Sequence, residues 1–174
     1  MDSINRLELY KGMYEREVTR SEAISGRLSL PFTVFIANAG LLSFMLQSAS
    51  HEIGNLTDLI FWLLFIASVT ASLLGVNFFR MSWFGHTDKF MATPNDLEGY
   101  YQELQQLYSD YDNGEELIDK YFSEYLTRSY MEYSTHIAIN NDQRSFNIFR
   151  GLCCFSIAVI FSFLALGCYL YLQI

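Results

Sequence analysis

The side chains with the clearest capacity for chemistry are amides set in apolar sequence. Asn38 lies within "TVFIANAG", and Asn77 ends the stretch "SLLGVN". An amide in apolar surroundings needs a hydrogen-bond partner, because leaving it unpaired costs free energy. Together with Ser72 and Asn147, these side chains could clamp neighbouring helices or line a narrow polar pore, and the sequence leaves both interpretations open.

Small side chains recur at steps of four residues close to these amides. Two series are present, Ala67, Ala71 and Gly75 in one segment and Cys154, Ala158 and Ser162 in another. Helices in lipid associate through close packing, which small residues permit. We therefore predict that both series are helix-packing ridges, either within one chain or between copies.

The elements that must position these residues are three uncharged apolar segments. They span residues 28–46, 59–79 and 151–172, and none contains Asp, Glu, Lys or Arg. A helix of about 20 apolar residues crosses a hydrocarbon layer about 30 Å thick. The segments predict an all-α integral membrane protein with three transmembrane helices.

The basic residues predict one orientation in the membrane. All 11 Lys and Arg residues lie before the first segment or between the second and the third. The 47–58 loop and the tail after residue 172 contain none. Because basic residues stay on the cytoplasmic side, we expect a multi-pass protein of the cell inner membrane. Its N-terminus would be cytoplasmic and its C-terminus periplasmic or extracellular.

The polar parts of the chain predict further helices on the cytoplasmic side. The expected organisation is a cytoplasmic amphipathic helix at 1–27, a transmembrane hairpin at 28–80, a cytoplasmic helical hairpin or stalk at 81–150 and a third transmembrane helix at 151–172. Thr93, Pro94 and Asp96 suit the cap and first turn of a helix. No proline follows Pro94, so one helix could continue from Glu115 through the third segment.

Two groups of side chains in this cytoplasmic region suggest a protein interface. Tyr101 and Tyr108 lie on a tyrosine-rich apolar face of the helix predicted after Pro94. Asn140 and Arg144 share a face of the later helix, because residues four apart are neighbours on a helix surface. We predict that these side chains meet a cytoplasmic partner protein or a neighbouring copy.

The composition argues against several other functions. A net charge of −8 disfavours nucleic-acid binding, which requires clustered Lys and Arg. The histidines are scattered, and the sequence has no Cys-x-x-Cys spacing, glycine-rich phosphate loop or nucleophile motif. We therefore expect no enzymatic activity, no metal and no cofactor.

The order of the segments allows a family comparison. An amphipathic helix, two apolar segments with a short loop, and long polar helices follow one another, and residues 130–150 read "YMEYSTHIAINNDQRSFNIFR". This layout resembles the SLATT-type small membrane effectors of bacterial antiviral systems, although their simple plan has two spans. The resemblance implies a pore-forming or membrane-disrupting effector, triggered by a partner that senses infection, without catalysis.

These observations predict a homo-oligomer in the lipid bilayer. The leading interpretation is an oligomeric effector or channel that permeabilises or depolarises the inner membrane when a cytoplasmic sensor triggers it. The alternative is a non-catalytic membrane anchor that recruits a cytoplasmic partner protein. A membrane enzyme or a transporter component is the least favoured interpretation.

Overall fold

The computed structural model describes residues 3–27, 29–48, 54–84 and 89–172. The described residues form five helices: α1 (Ser3–Gly26), α2 (Ser29–Ser48), α3 (Leu56–Trp83), α4 (Pro94–Tyr108) and α5 (Gly114–Leu172). Of the described residues 91% are helical and none is in a strand, which confirms the all-α prediction. Parts of the predicted 1–27, 28–80 and 81–150 regions and of the 47–58 loop lie outside the described residues, as does the C-terminus.

Among the described residues, three helical segments are long and apolar enough to cross a membrane. They lie within Asn5–Gln47, Leu56–Trp83 and Gly114–Leu172. Each contains one of the apolar segments found in the sequence. By length and composition, the chain is therefore compatible with a multi-pass membrane protein.

The start of α4 follows the predicted capping pattern. The backbone N–H of Asp96 donates to the Thr93 hydroxyl at 3.3 Å, and the Asp96 carboxylate accepts from the Thr93 backbone N–H at 3.2 Å. This reciprocal capping box satisfies donors that have no partner inside the helix. Pro94 occupies the first turn, where its missing N–H is not needed. The helix start predicted at Thr93–Asp96 is confirmed.

Helix α5 is continuous over 59 residues. A turn after α4 leads into it, where a Cβ on Gly114 would collide with the carbonyl oxygen of Tyr108. Glycine is therefore the residue that fits this close approach. The absence of proline after this point allows the backbone ladder to continue to Leu172, as the sequence predicts.

The chain divides into two compact units. The charged unit comprises the described residues of Met1–Ala23 and Thr87–Asp142, and the apolar unit comprises those of Ile24–His86 and Gln143–Ile174. Helices α1 and α5 contribute residues to both units. The units are described separately below.

The apolar unit has a core with a repeat of alternating three- and four-residue steps. The buried positions are Phe61, Phe65, Ser68, Ser72, Gly75, Phe79 and Ser82 on α3, and Ile148, Gly151, Phe155, Ala158, Ser162, Ala165 and Tyr169 on α5. Helix α2 contributes Pro31, Asn38, Leu42 and Met45. An average spacing of 3.5 residues keeps one seam of each helix facing its neighbours, as in left-handed coiled coils.

Helices α3 and α5 run antiparallel in a single register. The rings of Phe61 and Tyr169 lie 6.3 Å apart. Seven residues further along α3, Ser68 meets Ser162, which lies seven residues back along α5. After the same step again, Gly75 faces Phe155. The buried faces of α3 and α5 therefore stay matched over most of α3. We call these two matched faces the seam.

The charged unit is built on stacked rings and polar contacts against α5. The Tyr100 ring of α4 lies 4.6 Å from that of Tyr125, and Tyr108 stacks on Tyr121 at 5.5 Å. On α1, the Tyr14 ring lies 5.6 Å from that of Tyr130. Helices α1 and α4 therefore both pack on α5 through tyrosines.

Candidate functional site

A pair of buried serines joins α3 to α5 in the middle of the apolar unit. The Ser68 hydroxyl donates to the carbonyl oxygen of Ala158 at 2.8 Å and lies 2.7 Å from the Ser162 hydroxyl. A hydroxyl has one donor and two acceptor positions. Ser162 is therefore the donor to Ser68. Both serines are fully buried, so their hydrogen bonds are completed inside one copy of the chain.

A second polar contact joins α2 to α3. The Asn38 amide donates to the Ser72 hydroxyl at 3.2 Å, and both side chains are buried. Of the four predicted clamp or pore-lining residues, the structure brings these two together. Their contact gives Asn38 a partner within the chain and fits the description of an interhelical clamp.

Two glycines allow α3 and α5 to approach each other closely. A Cβ added to Gly75 would stand 2.7 Å from a Phe155 ring carbon, and one added to Gly151 would stand 2.6 Å from a Phe79 ring carbon. The Phe155 ring also lies 5.6 Å from that of Phe35 on α2. Each phenylalanine thus fills the space above a glycine, and Phe155 links all three helices.

The predicted four-residue ridges coincide with this seam only in part. Gly75, Ala158 and Ser162 are buried in it, whereas Ala67, Ala71 and Cys154 are half-buried beside it. A four-residue step advances about 400° around a helix, so such a ridge drifts off any one face by about 40° per step. Sequence reasoning did not single out Gly151 and Phe155. The alternating spacing from Phe61 to Ser82 is the signal that would have identified the buried seam.

The outer face of α3 carries polar side chains away from this seam. Asn77 is exposed, and its amide makes one weak contact, 3.9 Å to the sulfur of Met81. Thr70, seven residues earlier on the same side, is also exposed and donates to the Ile66 carbonyl oxygen at 2.8 Å. The neighbouring Leu73 is 64% exposed. The remaining predicted residue, Asn147, is half-buried on α5.

Helices α2 and α5 each have an exposed glycine in the apolar unit with free space around it. A Cβ on Gly40 of α2 or Gly167 of α5 would meet no atom within 4 Å, and both glycines are exposed. Such positions leave room for the backbone of another helix to approach. They differ in this respect from Gly75 and Gly151, which are filled by rings of the same chain.

The predicted partner tyrosines pack within the charged unit. The Tyr101 ring meets that of Phe122 edge-on at 5.2 Å, and Tyr108 is stacked on Tyr121. Burial raises the pKa of Tyr108 above its usual value, and the hydrogen bond with Tyr121 raises it further. At the same end of the unit, Leu107 is 63% exposed and Tyr111 is 59% exposed.

Asn140 and Arg144 are the other two predicted partner residues, and each makes contacts within its own unit. The Asn140 amide lies 3.3 Å from Nδ1 of His136 on the same helix. In the apolar unit, the Arg144 guanidinium donates to the Ser25 hydroxyl at 2.9 Å, and the Arg144 carbonyl oxygen accepts from Ser82 at 3.2 Å. Arg144 therefore links α5 to α1 and to α3.

Sequence reasoning missed Asn141, which holds α1 to α5 in the charged unit. Its fully buried amide donates to the backbone oxygen of Glu17 at 2.9 Å and to the Glu17 carboxylate at 3.0 Å. Beside it, Arg20 pairs with Asp142 at 2.6 Å, and this hydrogen bond raises the pKa of Arg20. Glu17 and Arg20 occur close together in α1, but their partners lie about 120 residues away, a separation that gives no local signal.

Within the described ranges, no three His, Cys, Asp or Glu side chains come together in a way that could hold a metal ion. Comparisons of the chain with protein-family models, curated proteins and solved structures found no match.

Proposed function

We propose that the chain is a homo-oligomeric effector or channel of the cell inner membrane, which permeabilises or depolarises that membrane when triggered. In this proposal α2, α3 and the last part of α5 cross the bilayer. The N-terminus and the charged unit are cytoplasmic, and the C-terminus is outside. The distribution of basic residues supports this orientation.

One observation carries the proposal: the apolar unit has polar groups on its outer face as well as in its seam. In the seam, the Asn38 amide and the Ser68 and Ser162 hydroxyls are hydrogen-bonded within the chain, and phenylalanine rings fill the space above Gly75 and Gly151. An ion path through one copy would have to break this packing. A path between copies would not, because it would use the outer faces.

Asn77 and Thr70 are the side chains best placed to line such a path. An amide facing lipid is costly, and polar groups within membranes normally face other protein or water. Helices from several copies, with their α3 outer faces turned inward, would give Asn77 that environment. The open surfaces at Gly40 and Gly167 support close contact between copies.

The trigger in this proposal is a cytoplasmic protein that senses infection. The support is the similarity of layout to SLATT-type effectors, together with the exposed apolar side chains of the charged unit. A role in antiviral defence predicts that the protein is silent alone or at low level and active once triggered.

Ion flux tests the proposal directly. We expect inducible expression at high level to depolarise cells, read with a membrane-potential dye, and purified protein in liposomes to release trapped ions when a cell extract from infected cells is added. Asn77→Leu should reduce the flux at least several-fold without loss of assembly, measured by cross-linking. Leu73→Ile is the matched control, because it keeps an apolar side chain of equal volume on the same face of α3. Wild-type protein that assembles in liposomes but passes no ions with or without a cell extract from infected cells would contradict the proposal.

The second candidate function is a membrane anchor for a cytoplasmic partner. It is favoured by Leu107 in the last turn of α4 and Tyr111 in the turn that follows, whose side chains are both exposed. The replacements Leu107→Ser and Tyr111→Ser should then abolish co-purification of a partner. Tyr101→Ser is the contrasting variant, because that ring packs on Phe122 and should act through stability. Loss of the partner without any effect on ion flux would favour the anchor over the effector.

A further inference from the structure

We propose that Arg150 forms a binding site for the phosphate of an anionic phospholipid at the cytoplasmic end of the apolar unit. The guanidinium carbon of Arg150 lies 4.1 Å from the ring centre of Phe146 and 5.6 Å from that of Phe78. The inference rests on the membrane placement in the proposed function, and it adds a ligand that the proposed function does not include.

The two rings hold the Arg150 side chain between α3 and α5. Phe146 precedes Arg150 by four residues on α5, so the two side chains are neighbours on the helix surface. Phe78 belongs to α3 and lies next to Phe79, whose ring covers Gly151 of α5. A guanidinium held against aromatic rings keeps its planar set of donors in one orientation. Arg150 therefore loses less conformational freedom when it binds a phosphate than a freely moving arginine does.

The donors of Arg150 and of its neighbour Asn147 are available to a ligand. A guanidinium has five N–H donors, and Arg150 makes no ion pair or side-chain hydrogen bond with any described residue. The half-buried Asn147 lies three residues earlier on α5, and its amide likewise has no hydrogen-bond partner among the described residues. A charged planar fork beside an amide N–H suits the oxygen atoms of a phosphate.

The charge of this end of the apolar unit favours an anion. Among the described residues of the unit, the charged side chains are Arg27, Arg80, Arg144 and Arg150 and a single acid, Asp58. The arginines lie where α3 ends, whereas Asp58 lies in the first turn of α3, about 33 Å from Arg80 along the helix axis. A cluster of one sign attracts the opposite charge. It disfavours a zwitterionic headgroup, which would bring a second cation to the same place.

The surroundings of Arg150 favour an anion that carries acyl chains. Arg150 directly precedes the third apolar segment. Farther along the same faces, Leu74 lies one turn from Phe78 on α3 and is 50% exposed, and Ile157 lies two turns from Arg150 on α5 and is 47% exposed. Acyl chains can cover these side chains, whereas free phosphate cannot. In the proposed orientation Arg150 faces the cytoplasmic leaflet, where basic pockets between membrane helices bind anionic headgroups.

Lipid retention by the full-length protein tests the site. The protein is placed in nanodiscs of mixed phosphatidylcholine and phosphatidylglycerol and extracted in mild detergent, and the retained lipids are quantified by mass spectrometry. We expect the wild type to be enriched in phosphatidylglycerol. Arg150→Gln should lower this enrichment about tenfold, because it removes a charge-assisted contact with the phosphate. Arg150→Lys keeps the charge but loses the planar fork, so it should recover only part of the enrichment.

A pair of neutral variants separates the site from general attraction by the surface charge. Phe146→Leu removes a ring from Arg150 without changing the charge, and it should lower the enrichment about threefold. Phe149→Leu is the matched control, because that ring is 63% exposed on the same helix and does not stack with Arg150. It should leave the enrichment unchanged. An unchanged enrichment in Phe146→Leu would refute the site.

Arg80→Gln is the matched control for charge. Arg80 is exposed and lies level with Arg150, because the Phe79 ring that precedes it faces Gly151. Its loss should lower the enrichment less than the loss of Arg150, and equal losses would show that the charge of the whole surface acts and no site exists. Circular dichroism identifies variants that fail to fold.

Two further measurements separate the ligand and the function. Excess inorganic phosphate should not displace phosphatidylglycerol, and displacement would overturn the lipid assignment in favour of a free anion. Ion flux is measured on the same preparations. Retention of phosphatidylglycerol without flux under any trigger would support the site and contradict the effector proposal. Flux from a protein that retains no phosphatidylglycerol would refute the site and leave the effector proposal standing.

Discussion

The two units of this protein use the same helical repeat with different chemistry. In the apolar unit, α3 and α5 meet through serine hydroxyls and through glycines covered by phenylalanines. In the charged unit, α5 keeps the alternating spacing at Ser134, Ile137 and Asn141, but its contacts are tyrosine rings, amides and ion pairs. All ion pairs among the described residues belong to the charged unit.

The difference fits the surroundings that the proposed function gives the two units. In water, burying a ring removes apolar surface from the solvent and stabilises by about 25 cal/mol per Å². In lipid, where the proposed function places the apolar unit, that driving force between helices is nearly absent, so close approach and interhelical hydrogen bonds must hold the helices together. On this proposal the charged unit tolerates an imperfect fit at many positions, whereas the apolar unit depends on a few close contacts.

The largest loss of stability should come from placing a larger side chain at one of those close contacts. Gly75→Val would place its Cβ in the Phe155 ring, which Phe35 and Phe79 hold from other sides. We expect a loss of about 3 kcal/mol in the free energy of unfolding, because the packed ring has no free space to occupy. Denaturant unfolding in detergent micelles measures this loss.

The matched control is Gly167→Val, at a position where an added Cβ meets nothing within 4 Å. Its effect should stay below about 1 kcal/mol. The double variant Gly75→Val with Phe155→Ala should lose less free energy of unfolding than the two single variants lose together, because alanine at position 155 leaves room for the valine. Equal losses at positions 75 and 167 would show that the seam does not depend on close approach.

This comparison also explains what the sequence could and could not predict. Helix type, the three apolar segments, the α4 cap at Thr93 and the continuity of α5 follow from local composition and spacing. The seam is harder to predict, because Ala67 lies next to Ser68, and Ala71 next to Ser72, and all four are small. The two pairs differ only in the alternating spacing that runs from Phe61 to Ser82, which short stretches of the sequence do not reveal.

The second-largest loss of stability should come from the charged unit. It tests whether the Asn141 amide holds α1 on α5. Asn141→Ala removes the hydrogen bonds from its amide to the backbone oxygen and to the carboxylate of Glu17. We expect a loss of about 2 kcal/mol, because one of these two hydrogen bonds goes to a charged group. Hydrogen exchange should also rise in α1 more than in α4.

Asn140→Ala is the control for this prediction, since that half-buried amide contacts His136 on its own helix. Its effect should be about 0.5 kcal/mol or less. A larger loss at Asn140 than at Asn141 would contradict the assignment of the α1 contact. The two residues are adjacent and identical in the sequence, so only packing can separate their roles.

A smaller effect should follow from removing a hydroxyl pair in the apolar unit. Ser68→Ala and Ser162→Ala each remove one partner of the 2.7 Å contact. Hydrogen bonds between membrane helices contribute about 0.6 kcal/mol on average and about 1.7 kcal/mol at most. In a double-mutant cycle we expect a coupling of about 1 kcal/mol. A coupling near zero would mean that the glycine and phenylalanine contacts alone align α3 with α5.

The smallest effect is a fall in the stability of the charged unit at alkaline pH, which has no counterpart at the Ser68 and Ser162 contact. Burial and the hydrogen bond with Tyr121 raise the pKa of Tyr108, so the folded state favours the protonated phenol. Below the unfolded-state pKa of about 10, both states are protonated and the contribution of Tyr108 to stability is complete. As pH rises through that value and then through the higher folded-state pKa, the unfolded state loses its proton first, and stability falls. Thermal unfolding followed from pH 9 to 11 should show this fall in the wild type and a shallower one in Tyr108→Phe. An equal slope in both proteins would mean that the ring stack between α4 and α5 holds Tyr108 without favouring its protonated form.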